Sequence, residues 1–278
     1  MRTIDHSFYP HIVDLVFHFA PFESYNVLRW VCRGWRQRVE AKFHHLRDFS
    51  VIHHSVHRLY RFRLGQQESI TTTTLGACTS AKVVDLDDSP APLGCIERYN
   101  FNTIRVPYRN RLPPGSESSF APFECRRLVL DNHFSLKTSC FIDKLVINLR
   151  DTYDSPFILH KLSQHCWYRF FGIRHLVVIV HPINTPVKGR LHSDDRKQIV
   201  YATARALKFA CECYFDLWSK PHRSRPVKPE MTLVSDGDSA RLEIVIPQLR
   251  HISLEEYRTE IGEKELTIET DFNTALSP

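Results

Sequence analysis

Glycine is scarce in this chain, nine residues in 278, and the nine are scattered. They form no phosphate loop, dinucleotide fingerprint or nucleophile elbow. That weakens the case for an enzyme, although an active site without a short motif stays open. No apolar run approaches the roughly 20 residues that span a bilayer. No Asn is followed two positions later by Ser or Thr, so there is no acceptor for N-glycosylation. The opening Met1-Arg2-Thr3-Ile4-Asp5-His6 lacks the apolar run of a secretory leader. The eight Cys are therefore expected as reduced, small core hydrophobes of an intracellular protein, cytoplasmic and/or nuclear. No one sign of charge dominates: 37 basic residues face 31 acidic ones, a net +6. The densest basic run, His222 to Lys228, is interrupted by proline and carries no aromatics. It reads as a solvated loop, and a nucleic-acid partner is not expected.

What the chain does contain is ordinary globular material, 42% hydrophobic and 24% charged, long enough for one large domain or two smaller ones. It opens with helical patterning. Pro10 suits a first helical position, where its missing N–H costs nothing. Ile12, Val13, Leu15, Val16, Phe17 and Phe19 follow, leaving His11, Asp14 and His18 as a narrow polar stripe, and Pro21 stops the run. Ser24 is a cap for a second helix with Val27, Leu28 and Val31. A third starts near Arg33 and places Trp35, Val39, Phe43 and Leu46 on one face. The first helix is apolar on both flanks of its polar stripe, and two short neighbours can cover only one flank. The rest of the chain or a partner must cover the other.

Beyond Arg47 the texture changes. Residues 51–63 read as one or two short strands, and the polar stretch from Gln66 to Thr74 as a loop. Short apolar strands then recur at 82–86, 103–106, 127–130, 144–149 and 175–180, separated by roughly 17 to 31 residues, looser than a leucine-rich repeat. Near-continuous apolar runs suit strands buried on both faces, as in a parallel sheet. Ser193, Asp194 and Asp195 open a long helix to about Trp218. Strands follow at 231–234 and 242–246. Ser253 and Glu256 form a capping-box pattern for a short helix that Gly262 can stop, and a last strand is expected at Leu266-Thr267-Ile268-Glu269.

Candidate chemistry is thin. Among 16 His, His44-His45 and His53-His54-Ser55-Val56-His57 cluster locally, but no Cys or carboxylate stands at metal-ligand spacing beside them. Cys211 and Cys213, two apart in a helix, diverge around its axis and read as buried thiols. Asp85, Asp87 and Asp88 read as a turn that ends a strand, with a cation site as the alternative. No catalytic residue, cofactor or metal is expected from these patterns.

The stretch Leu28-Arg29-Trp30-Val31-Cys32-Arg33-Gly34-Trp35-Arg36 resembles the second half of an F-box, with its leucine, Val-Cys-Arg and Trp-Arg. The first half, Phe8 to Val16, is similar in hydrophobic spacing, with Phe8-Tyr9 where Leu-Pro is usual, Pro displaced to position 10, and His11 in place of an acidic residue. Residues 8–46 thus resemble the F-box-like modules common in mushroom-forming fungi, and Ser253 to Glu263 resembles the endings of such proteins. The resemblance implies a substrate-receptor subunit of a Skp–cullin–F-box ubiquitin ligase, a non-catalytic part. Its N-terminal helices would bind a Skp-family adaptor and, through it, a cullin–RING ligase. By position, Phe8, Tyr9, Pro10, Ile12, Val13, Val16, Leu28 and Val31 are candidates for the adaptor face, with Trp35, Val39 and Phe43 in the module's own core.

The expected organisation is a three-helix F-box-like module at 1–47, connecting strands and a polar loop at 48–80, and an irregular α/β domain at 81–278. That last part is expected to be mostly parallel and degenerate leucine-rich-repeat-like, and to present a surface to an unknown protein substrate. The rival readings are an interaction scaffold with a degenerate F-box and an α/β enzyme.

Overall fold

The structure, a computed structural model, describes residues 9–54, 57–64, 70–72, 81–86, 101–106, 123–131, 140–149, 170–181, 203–205, 208–209, 229–235 and 249–272. Three helices lead: α1 (Pro10–Phe19), α2 (Tyr25–Leu28) after a 3-10 turn at Phe22–Ser24, and α3 (Arg33–Lys42). Pro10 takes the first helical position of α1. Ser24 does not cap α2 with its side chain; it belongs to the 3-10 turn. The third helix stops at Lys42 rather than reaching Leu46, because the chain turns at His44 and enters a sheet.

That sheet has strands β1 (His45–His54), β2 (His57–Arg63), β3 (Ile70–Thr72), β4 (Val83–Leu86), β5 (Phe101–Val106), β6 (Phe123–Asp131), β7 (Cys140–Leu149), β8 (Phe170–Phe171), β9 (His175–Val180), β10 (Glu230–Ser235) and β11 (Leu249–Ile252). Its order is β11-β10-β9-β7-β6-β5-β4-β1-β2-β3, with β8 also on β7. The β1–β2–β3 edge is antiparallel and every other pairing is parallel. One aliphatic row crosses eight strands in register: Leu46, Val84, Ile104, Leu128, Leu145, Leu176, Met231 and Leu249. Most of this row is fully buried, in one core with Val13, Phe17, Tyr25, Val39 and Phe43 of the helical segment. Strand β4 and the ends of β6, β7 and β9 are buried residue after residue, which requires cover on both faces. Between β8 and β9 one extra residue opposes β7, a bulge in which Gly172 takes φ +77°.

The second face is closed by α4 (Leu254–Ile261) and α5 (Glu263–Thr270). Ser253 and Glu256 complete the capping box: the Glu256 N–H donates to Ser253 Oγ at 3.1 Å and the Ser253 N–H to Glu256 Oε2 at 2.7 Å. Gly262, at φ +84°, ends α4, but the chain re-enters a helix at once. The expected strand at 266–269 is therefore wrong. As a helix the segment turns Leu266 and Glu269, three residues apart, onto the sheet. There Tyr257, Leu266 and Phe272 cover Val129, Val146, Val177, Ile179, Val234 and Ile252. Residues 203–205 and 208–209 are helical, with Ala204 in the main core. The rest of the expected helix at 193–218 and the strand at 242–246 lie outside the described residues, while β3, β8 and β11 were not expected.

Buried charges fasten these layers. Arg105, fully buried on β5, donates to Asp85 Oδ1 and Oδ2 at 2.5 and 2.7 Å. It also donates to the carbonyls of Ile268 and Asp271 at 3.2 and 2.6 Å, closing the end of α5 onto the sheet. His45 Nε2 stands 2.9 Å from Asp85 Oδ2. Next to this group, Lys144 Nζ donates to Glu269 Oε1 at 2.5 Å and to the Tyr257 hydroxyl at 2.9 Å, and that hydroxyl donates to Glu269 Oε2 at 2.6 Å. Burial, and then the Glu269 charge, push the Tyr257 hydroxyl far above its ordinary pKa, so it stays a donor. Burial also pushes the Asp85 carboxyl up, but hydrogen bonds from Arg105 and His45 outweigh it and hold the carboxyl below its usual value.

Two consequences are measurable. Asp85→Asn leaves Arg105 buried without its counter-charge, and a loss of about 3–5 kcal/mol is expected in urea unfolding. Because folding lowers the Asp85 pKa, the unfolded chain binds the proton more tightly. The stabilisation is complete above the unfolded value near ~3.9 and fades as pH falls from there through the folded value. The variant's stability should show a shallower loss over that acid range.

Candidate functional site

Helix α1 carries two apolar stripes, and the fold buries one. Val13 and Phe17, one turn apart, face inward at 5% and 8% exposure. The Phe17 ring lies 5.3 Å from Trp35 and 6.2 Å from Tyr25, and the Tyr25 hydroxyl donates to the Phe17 carbonyl at 2.7 Å. Helix α3 is held against this side by the Arg38–Asp14 ion pair and by Lys42, which reaches the Phe17 carbonyl at 3.4 Å and the Tyr25 hydroxyl.

The other stripe runs Ile12, Leu15, Val16 and Phe19, at helical spacing, and stands in solvent: 49%, 53%, 39% and 75% exposed. Tyr9 precedes it, and beyond the turn Val27, Trp30 and Val31 are also exposed. Eight of the ten large hydrophobic side chains exposed among the described residues thus fall between Tyr9 and Val31, the other two being Phe141 and Phe209. Singly scattered surface hydrophobics need no explanation, but a concentration on one short segment makes it the candidate interaction surface. Its borders are polar: His11, Asp14 and His18 are exposed on α1, and α3 adds Arg33, Arg36 and Arg38. An apolar centre with a polar rim is the anatomy of a protein–protein contact.

The residues picked out from the sequence divide across this geometry. Tyr9, Pro10, Ile12, Val16 and Val31 are exposed. Val13 is not on the outward face; its position one turn before Phe17 carries it into the core. Leu28 is half-buried against that core, as is Trp35, while Val39 and Phe43 are fully buried. Phe8 lies outside the described residues. Leu15, Phe19, Val27 and Trp30 belong to the exposed set and were not among the candidates. Projecting α1 around Val13 and Phe17 finds the first two, whereas the exposure of Trp30 follows from the tight turn between α2 and α3.

The other sequence candidates resolve differently. Asp85 is neither a turn residue nor a cation ligand: it lies within β4, paired with Arg105. His45 joins that pair, and His44 is held below its ordinary pKa by burial, then by Lys82 and Lys264. Cys125 is buried and Cys32 partly buried, and neither is in a disulfide. Asp87, Asp88, Cys211, Cys213, the 222–228 run and the side chains of His53 and His57 lie outside the described residues. Among the described residues, no three His, Cys, Asp or Glu side chains gather as a metal site, and no helix is long and apolar enough to cross a membrane.

The two stripes of α1 should respond oppositely to truncation. Phe17→Ala is expected to cost about 3–5 kcal/mol in chemical unfolding, and Phe19→Ala to change stability by about 0.5 kcal/mol or less.

Comparison of the chain with protein-family models, with curated proteins and with solved structures finds no match.

Proposed function

We propose that this chain is a non-catalytic substrate receptor of a Skp–cullin–F-box ubiquitin ligase. In this reading the outward stripe of α1, with Val27, Trp30 and Val31, docks on a Skp-family adaptor. The observation that carries the reading is a coincidence of place. The segment that resembles an F-box, Leu28 to Arg36 with the hydrophobic spacing before it, is also where the exposed apolar side chains concentrate. The buried Val39 and Phe43 and the half-buried Trp35 support the surface from behind, as a folded docking module requires.

The sheet beyond the helices then serves as an irregular, leucine-rich-repeat-like platform that presents a protein substrate. Its parallel strands follow chain order from β1 to β11. The crevice that opens where a doubly wound sheet reverses its order is therefore not built among the described parallel strands, which favours a platform over an enzyme. Catalysis would come by proximity, the receptor raising the effective concentration of substrate beside a ubiquitin-charged enzyme. The setting would be intracellular, cytoplasmic and/or nuclear.

The test is co-expression with a Skp-type adaptor from the same organism, beside an Ile12→Asp, Val16→Asp variant and a Phe141→Asp control. The parent and the control should co-purify with the adaptor, and the α1 variant should lose it at an unchanged melting temperature. A well-folded parent that never retains the adaptor overturns the reading and leaves an interaction scaffold with a degenerate F-box.

A further inference from the structure

The outward stripe of α1 is symmetric about its own midpoint. Ile12, Leu15, Val16 and Phe19 stand at positions i, i+3, i+4 and i+7, and the same intervals recur when the helix is read backwards. A second α1 laid antiparallel therefore sets Ile12 against Phe19 and Leu15 against Val16, and repeats both contacts across a twofold axis. The four side chains carry no charge, so no like charges meet along the seam. The face that α1 presents is fixed, because Val13 and Phe17 are held in the core, Phe17 against Trp35 and Tyr25.

Area decides whether such a pairing could hold two chains. The seam spans only about 10 Å of helix, too short by itself. Tyr9 extends it at one end, and Val27, Trp30 and Val31 add to it from beyond the turn. An aromatic side chain brings about 150–250 Å². Tyr9, Phe19 and Trp30, at 49%, 75% and 81% exposure, therefore leave on the order of 400 Å² in water. The five aliphatic residues add a similar area. The total, roughly 800 Å², exceeds the ~300–600 Å² patch of an ordinary monomer and matches what each partner contributes to a standard interface.

We propose that a second copy of this chain occupies the stripe: two chains pair through antiparallel α1 helices in an isologous, twofold dimer, while the dilute chain is a monomer. The pairing rests on the exposed stripe and not on the adaptor reading. Where that reading holds, the second copy and the adaptor compete for the same side chains, and the dimer is the form in which the receptor waits for its adaptor.

The experiment follows the mass of the full chain by light scattering at rising concentration. It should climb from 32.6 kDa toward twice that value and stop there, because a twofold interface closes on itself. Ile12→Lys and Phe19→Glu should each hold the chain at the monomer mass. Both side chains are exposed, so near-ultraviolet circular dichroism of each variant should match the parent. Mixed in equal amounts, the two variants should pair again. The antiparallel register sets the new cation against the new carboxylate at one end and leaves Ile12 against Phe19 at the other. A parent that stays monomeric, a parent dimer untouched by either single change, or a mixture that fails to recover overturns the proposal. Adding a Skp-type adaptor separates the two readings. Displacement of the second copy into a one-to-one complex supports both. A dimer that binds no adaptor, or binds it without coming apart, upholds the pairing and overturns the adaptor reading, and a monomeric parent that binds the adaptor does the reverse.

Discussion

The register of the parallel sheet is the constraint on which the other features depend. The row from Leu46 to Leu249 fixes which residues of each strand face the helical segment and which face α4 and α5. A slip of one residue in any strand would exchange its two faces. On β5 and β7 that slip would carry Arg105 and Lys144 away from Asp85 and Glu269 and turn their charges into the aliphatic core. The buried ion pairs thus act less as a source of net stability than as a penalty on wrong register. They also set the position of α5, whose last carbonyls are held by Arg105.

The same sheet explains why α1 is left half covered. Phe43 and Leu46 pass directly from the end of α3 into β1, so the helical segment and the sheet share one core with no linker between them. That continuity fixes the inward side of α1 at Val13 and Phe17. Ile12, Leu15, Val16 and Phe19 then face away from the sheet by helical geometry alone. A helix with this much apolar surface is an aggregation liability unless something covers it, and a partner is the economical explanation. The proposed docking surface is thereby mounted on the main core, a placement that would limit reorganisation on binding.

Much of this was legible in the residues. Runs such as His175 to Val180 are apolar at nearly every position, which only a strand buried on both faces tolerates, and they appear as strands in a parallel sheet. The capping box at Ser253 and Glu256 is local chemistry and could be read directly. What escaped depends on distant partners. Leu266-Thr267-Ile268 alternates like a strand, and only the need to cover Val129 and Val146 makes it a helix. Leu46 continues the helical spacing of Trp35, Val39 and Phe43, yet pairing with Val84 claims it for β1. Strand β11 contains Arg250 and His251 and shows no apolar run. Nothing near Arg105 in sequence announces that the backbone carbonyl of Asp271, 166 positions away, will accept its hydrogen bond. For the site, apolar periodicity exposed the existence of an uncovered flank, but assigning Val13 to it required knowing where Trp35 and Tyr25 sit.

The central claim is that the outward stripe of α1 and the turn after α2 form one partner-binding surface. Hydrogen–deuterium exchange of the free chain and of the chain with a Skp-type adaptor tests it most directly. The account predicts slowed exchange at residues 9–19 and 27–31, with the strands from β4 to β11 unchanged. Protection centred on the sheet, with residues 9–31 exchanging as in the free chain, would contradict it.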